Sequence, residues 1–227
     1  MEGKHMIEKT GMIETWLRKH TLLYTGATRH PFLLSIRDGT IDLSSFKKWL
    51  GQNIIVFRAL VPFVASVLVK AWKESDDKSD VDMLLNIMAS MNHENSCFKE
   101  EASKWRVSLT SVVPEKAILE YCSFLESLMN SEVEYAVALT VFGIMETAFY
   151  EGFAHCLENG TKIPEELTEF CQRYGSDGFR HQCQSLQNAA NRLLEKAPNE
   201  VRSKAEVNLV KGLEHEIELW NISRREV

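Results

Sequence analysis

Two glutamates in this sequence are set apart by what surrounds them. The stretch Ala136 to Tyr150, AVALTVFGIMETAFY, is apolar on every side of a helix, and Glu146 and the terminal Tyr150 are its only ionisable groups. A carboxylate there loses its water. Burying it unpaired costs several kcal/mol unless its pKa rises or donors reach it. The residue therefore implies a core partner, a thin exposed edge or a use. Glu216 is the second. Leu209, Val210, Leu213, Ile217 and Trp220 make the inner stripe of the last helix, and Glu216, three residues after Leu213 and four before Trp220, borders it. Glu214 borders the opposite edge and stays open as an alternative by geometry, whereas His215 points largely away. Two carboxylates in one dry pocket would hold separated pKa values, one ionised as a base and one protonated as an acid. The plainer reading of each acid is a solvated helix face, so periodicity alone yields a helical bundle with an acidic pocket.

The elements that must position these groups are helices. Apolar residues recur at helical spacing almost throughout, and strand-like alternation is hard to find. Ile13, Trp16, Leu17 and His20 start a first helix that ends before the turn at Thr28 to Pro31. Asp42 or Ser44 caps a long second one carrying Phe46, Trp49, Leu50, Phe57, Val61, Val64 and Leu68. Pro62 removes a backbone donor inside it, which predicts a kink or break. The polar run Glu74 to Asp80 reads as a loop. A third helix follows with Leu84, Leu85, Met88, Met91, Phe98 and Trp105 inward, and Pro114 opens a fourth with Ile118, Tyr121, Cys122, Leu125, Leu128 and Met129. The Glu146 helix runs from about Glu132 to Glu158 and stops at Asn159-Gly160. Pro164 begins another, a break falls near Gly175 to Gly178, and two more end near Leu194 and Ile222. The expectation is an all-α bundle of seven to eight helices in a single domain spanning 1–227, with 1–11 a loosely ordered extension.

Composition bounds the partners. Hydrophobic residues make up 44% and charged residues 26% of 227, ordinary for a folded chain, and the formal charge of −6 argues against nucleic acid, which needs clustered Lys and Arg. The absence of an uninterrupted apolar run of about 18 residues argues against a membrane span, and the first residues lack the apolar core of a secretory signal. Cys97, Cys122, Cys156, Cys171 and Cys183 are odd in number and free of a CxxC pattern, which fits reduced thiols in the cytoplasm.

Four segments carry a resemblance: ATRHPFLLSIRDGTIDLSSFKKWLGQ (27–52), VPFVASVLVKA (61–71), SEVEYAVALTVFGIMETAFYEGFAHCLENG (131–160) and GLEHEIELWNIS (212–223). Over residues 12 to 224 the chain resembles the TenA proteins, which share the helical architecture of heme oxygenase, and more narrowly their plant glutamate-type members, known as thiamin-salvage enzymes or seed maturation proteins. The usual members carry a cysteine nucleophile on the helix that here holds AVALTVFGIMETAFY; this chain has no cysteine between Cys122 and Cys156. The resemblance instead matches Glu146 to the subclass's glutamate and Glu216 to the glutamate that precedes a Trp by four residues. It implies hydrolysis of an aminomethyl-pyrimidine from degraded thiamin, and of its formylated form, with Glu146 as base or water-positioning group and Glu216 as proton shuttle, or the reverse. Asn53, Phe57, Tyr121, Phe149, Tyr174 and Trp220 are the implied binding set, with flat aromatic faces for a small heterocyclic substrate. No cofactor is implied, and a homo-oligomer, dimer or tetramer, is.

Several residues depart from the family pattern. Where the family has Gln-Asp-Tyr, with the Asp gripping the pyrimidine's amino group and ring nitrogen, this chain has Gln52, Asn53 and Ile54. A neutral amide in place of a charge should weaken aminopyrimidine binding by roughly 1–2 kcal/mol. Gly143 stands for a large aromatic, Phe149 for a tyrosine and His93 for an acid beside Glu94, and together these predict a larger and less polar pocket. The alternative function is that of a divergent paralogue acting on or binding another nitrogen heterocycle of plant specialised metabolism. A metal-dependent oxidase on the same scaffold is disfavoured, because the one Glu-x-x-His pair, Glu2 with His5, lies in the terminal tail.

Overall fold

A computed structural model describes residues 10–224 of the chain; most of the 1–11 extension and the Glu2–His5 pair lie outside them. Among the described residues there is no strand. Ten α-helices follow one another: α1 Met12–Lys19, α2 Thr21–Thr28, α3 Pro31–Arg37, α4 Leu43–Glu74, α5 Lys78–Lys104, α6 Lys116–Leu128, α7 Tyr135–Cys156, α8 Glu165–Tyr174, α9 Asp177–Lys196 and α10 Asn199–Asn221, closed by a 3₁₀ turn Ile222–Arg224. The expected seven to eight become ten for two reasons. The first helix divides at His20, whose ring turns to Glu206 of α10 at 2.8 Å. A short helix also follows the Thr28–Pro31 turn, with Pro31 at its first position, where the missing N–H is not needed.

The caps lie close to where the residue types put them. Asp42 accepts from Ser44 N–H to start α4, Asp77 from Ser79 N–H to start α5, and Ser176 from Phe179 N–H to start α9. The loop expected over Glu74 to Asp80 shrinks to Ser75–Asp77. Pro62 does not break α4, which runs on to Glu74. Both Pro62 and Arg58, whose carbonyl loses its helical partner, are exposed, so solvent can satisfy that oxygen. Gly160, at φ +85°, takes the chain out of α7 as its Asn-Gly signal implied.

Helix α7 is the axis. Sixteen of its 22 residues are buried, because α10 and α9 pack along it most extensively while α2, α3, α4 and α8 close its other sides. That all-round enclosure is why an apolar helix is soluble in this setting. Gly143 sits where α9 crosses, and a Cβ there would lie 3.4 Å from the Leu186 Cβ. By length and composition α4 and α7 could each cross a membrane. In α7 the apolarity is that of the core, whereas α4 buries Phe46, Trp49, Leu50 and Phe63 inward but turns Val69 and Trp72 outward. Leu85, expected inward, is exposed, and Ile87 takes the inner place on α5. All five cysteines are free thiols, four of them buried.

Candidate active site

The cavity lies where α4, α5, α6, α7, α8, α9 and α10 converge, and encloses about 340 Å³, at the small end of ordinary ligand pockets. Its walls are mainly apolar and aromatic: Val56, Phe57 and Leu60 from α4, Ile87, Met91 and Phe98 from α5, Phe142, Met145 and Phe149 from α7, Phe179 from α9 and Leu219 from α10. Polar groups are few and convergent: Asn53, Glu94, Tyr121, Glu146, Arg173, Tyr174, Gln182 and Glu216, with Ser90 and Ser176 at the margins.

Glu146 and Glu216 both face this cavity, from α7 and α10. Glu216 is only 3% exposed. The Tyr121 hydroxyl donates a short hydrogen bond to its Oε1, while Oε2 has no hydrogen-bond partner within the protein among the described residues. Tyr121 is held in turn by His215, whose ring stacks on it at 4.9 Å; His215 thus lies behind the site rather than in it, and Glu214 is exposed. Glu146 is walled by protein on all sides yet keeps some accessible surface, because the space it meets is the cavity itself. The Gln182 amide donates to its Oε2 at 3.1 Å.

Burial dominates the electrostatics. Loss of water pushes the Glu146 carboxyl up to about 8, helped by the charges of Glu216 and then Glu94 and opposed by the Gln182 hydrogen bond. Burial pushes Glu216 up to about 7, against the pull of the Tyr121 hydroxyl. Repulsion between the two is mutual, so the first proton leaves the pair more easily than the second.

Five of the six expected binding residues line the cavity: Asn53, Phe57, Tyr121, Phe149 and Tyr174. Trp220 does not. Its indole is fully buried, donates to the Ala27 carbonyl at 2.9 Å, and stacks behind Phe149 at 5.7 Å and on Trp49 at 5.4 Å. It is a core residue that backs the wall. The predicted widening is corrected in part as well. Ile54 is buried away from the cavity, Gly143 meets α9, and His93 is exposed with its ring against Cys97. Of the departures only Asn53 and Phe149 touch the space. Gln52 is structural, clamping the loop before α6 through Val113 O at 2.8 Å and Glu115 N at 3.0 Å.

Glu94, Gln182 and Arg173 line the site without having been singled out for it. Glu94 had a legible signal, since it sits three residues after Met91 and four before Phe98, inside the apolar stripe of α5, and Tyr174 donates to it at 2.9 Å. Among the described residues no group of three or more His, Cys, Asp or Glu is arranged to hold a metal ion.

Comparison with known proteins agrees with this architecture. The model of the TENA/THI-4/PQQC family matches residues 17–226. A Glycine max protein described as "Probable bifunctional TENA-E protein" is 57% identical over 229 residues, the full length of both chains. Among solved structures, a TenA homologue from Pyrococcus furiosus superposes with a TM-score of 0.83 at 20% identity, covering 92% of this chain and 98% of its own. A protein from a Silicibacter species, described as a TenA family transcription regulator, gives 0.82 at 15% identity, with 95% and 98% covered. Since the family model spans nearly the whole chain and a full-length relative shares more than half its residues, this protein belongs to the TENA/THI-4/PQQC family.

Proposed function

We propose that the protein is a hydrolase of thiamin salvage that replaces the amine of an aminomethyl-pyrimidine, or the formamide of its formylated form, with water. The observation that carries this reading is the pair of carboxylates on separate helices, both drawn towards neutral pKa and both facing one aromatic-walled cavity. Ring recognition falls to the aromatic faces and Asn53. The Asn53 side chain lines the cavity and can accept from the exocyclic amino group while donating to an unprotonated ring nitrogen, the two-point pattern an asparagine makes with adenine.

In the reaction the C–N bond of the side chain breaks and a C–O bond forms. With one proton shared, ionised Glu216 takes a proton from the attacking water, and protonated Glu146 gives one to the departing nitrogen when that nitrogen is neutral. The products are the hydroxymethyl-pyrimidine and ammonia, or formamide from the formylated substrate. This ordering reverses the assignment favoured by resemblance, and it rests on the second like charge beside Glu146.

The test is turnover of the two pyrimidines by the purified protein, followed by ammonia or formamide release. We expect Glu146→Gln and Glu216→Gln each to lower kcat by about 10²–10⁴-fold. An unchanged kcat in either variant would remove that residue from the chemistry. The neutral amide of Asn53 in place of the family's acid favours the second reading, a paralogue for another nitrogen heterocycle. No turnover by the protein, recovered in Asn53→Asp, would select it; Ile54→Tyr is not needed, because position 54 does not reach the cavity.

A further inference from the structure

The acid–base pair and the ring-binding residues leave Glu94, among the polar groups of the cavity, without a task. Glu94 projects from the stripe of α5 that also presents Met91 and Phe98 to the space, and its Oε2 is anchored by the Tyr174 hydroxyl at 2.9 Å. Its charge also acts on Glu146. Three carboxyl groups from three helices therefore face one small cavity, two of them drawn towards neutral pKa, and among the described residues one cationic side chain lines it. That cation, Arg173, already bonds Glu169 at 3.3 Å. An acidic side chain anchored through one oxygen and facing the cavity is complementary to a cationic group on a ligand. An alkylamine, with a pKa near that of lysine at about 10.4, is protonated at neutral pH, whereas a formamide and an alcohol are neutral.

We propose that Glu94 is the cation-recognising residue of this site: its carboxylate receives the ammonium of an aminomethyl substituent beside Glu146 and gives the cavity a preference for the amine over neutral congeners. This rests on the hydrolase reading for the substrate class but makes a separate claim, about which substituent is held and by what. The nitrogen that leaves is then gripped by Glu94 as an ammonium, which already carries the proton with which it departs as ammonia, so the Glu146 carboxyl donates only to a neutral leaving nitrogen such as that of the formylated substrate. A formylated substrate gains nothing from Glu94 and is bound through its ring alone.

The experiment is calorimetric titration of the full-length protein with the aminomethyl-pyrimidine and with the hydroxymethyl-pyrimidine, repeated with Glu94→Gln and Glu94→Asp. We expect the natural chain to bind the amine about ten- to a hundred-fold more tightly than the alcohol. Glu94→Gln should abolish most of that ratio, and Glu94→Asp, which keeps the charge, should retain part of it. Because the ratio is taken within one preparation, a misfolded fraction cancels. A ratio preserved in Glu94→Gln overturns the proposal while leaving the hydrolase reading intact, and so does a natural chain that turns the amine over yet binds it no better than the alcohol. If neither pyrimidine binds or reacts, the hydrolase reading fails and cation recognition of this amine fails with it.

Discussion

The cavity holds two tyrosine–glutamate pairs, and they behave differently. On the floor Tyr121 donates to Glu216, on the rim Tyr174 donates to Glu94, and each tyrosine is driven up first by burial and then by its carboxylate. Yet Glu216 is sealed at 3% exposure with one oxygen unpartnered, while Glu94 keeps partial access and stands near Arg173. The same two side chains thus meet one environment where water is excluded and one where it is not, which suits the first to handling a proton and the second to presenting a charge, as proposed above. Environment, more than residue type, assigns the task.

Three perturbations would break or sharpen that contrast. The largest concerns the floor acids together. Their folded pKa values lie above the unfolded value near 4.5, so their contribution to stability is complete below that pH. It is lost as pH rises through about 7 and 8. Thermal unfolding followed from pH 5 to 9 should show a falling Tm, and Glu146→Gln should flatten the fall, the two proteins diverging by roughly 2–4 kcal/mol at pH 9. Parallel curves would mean that burial does not strain the floor. Next, Tyr121→Phe strips Glu216 of its one protein donor. We expect a loss of about 1–3 kcal/mol in denaturant unfolding and a shift of the acid limb of the kcat profile to higher pH, since the ionised form loses support. The smallest effect belongs to the rim. Tyr174→Phe should cost about 0.5–1.5 kcal/mol and leave the acid limb where it was. Equal shifts in the two tyrosine variants would erase the distinction.

Much of this was legible in the chain because helices are local. Stripes, caps and the Asn159-Gly160 stop need no knowledge of tertiary structure, and Glu146 declares itself by being charged where nothing else is. The failures have physical causes. Trp220 and Glu216 lie four residues apart, so only about 40° around the helix separates a core position from a lining one, and no pattern in a single helix says which neighbour has left a gap. The division at His20 depends on Glu206, 186 residues away. Pro62 announces a missing donor, while its effect depends on which way the orphaned carbonyl faces. Glu94 is hard to read for a different reason: it is an acid within the apolar stripe of α5, between Met91 and Phe98, where apolar periodicity alone gives it no place. Gln182, an uncharged amide in an ordinary amphipathic helix, carries no such mark.

Seven helices, drawn from α4 to the end of α10, each contribute at least one wall residue, so a molecule lodged in the hollow would tie distant stretches of the chain to one another. Such a guest acts as a non-covalent staple for the entire bundle, since any fragment that detaches takes part of the binding surface with it. Occupancy should therefore raise protection from amide exchange across the whole protein rather than around one loop. Cells short of the ligand would then hold a larger fraction of the chain in a form open to proteolysis.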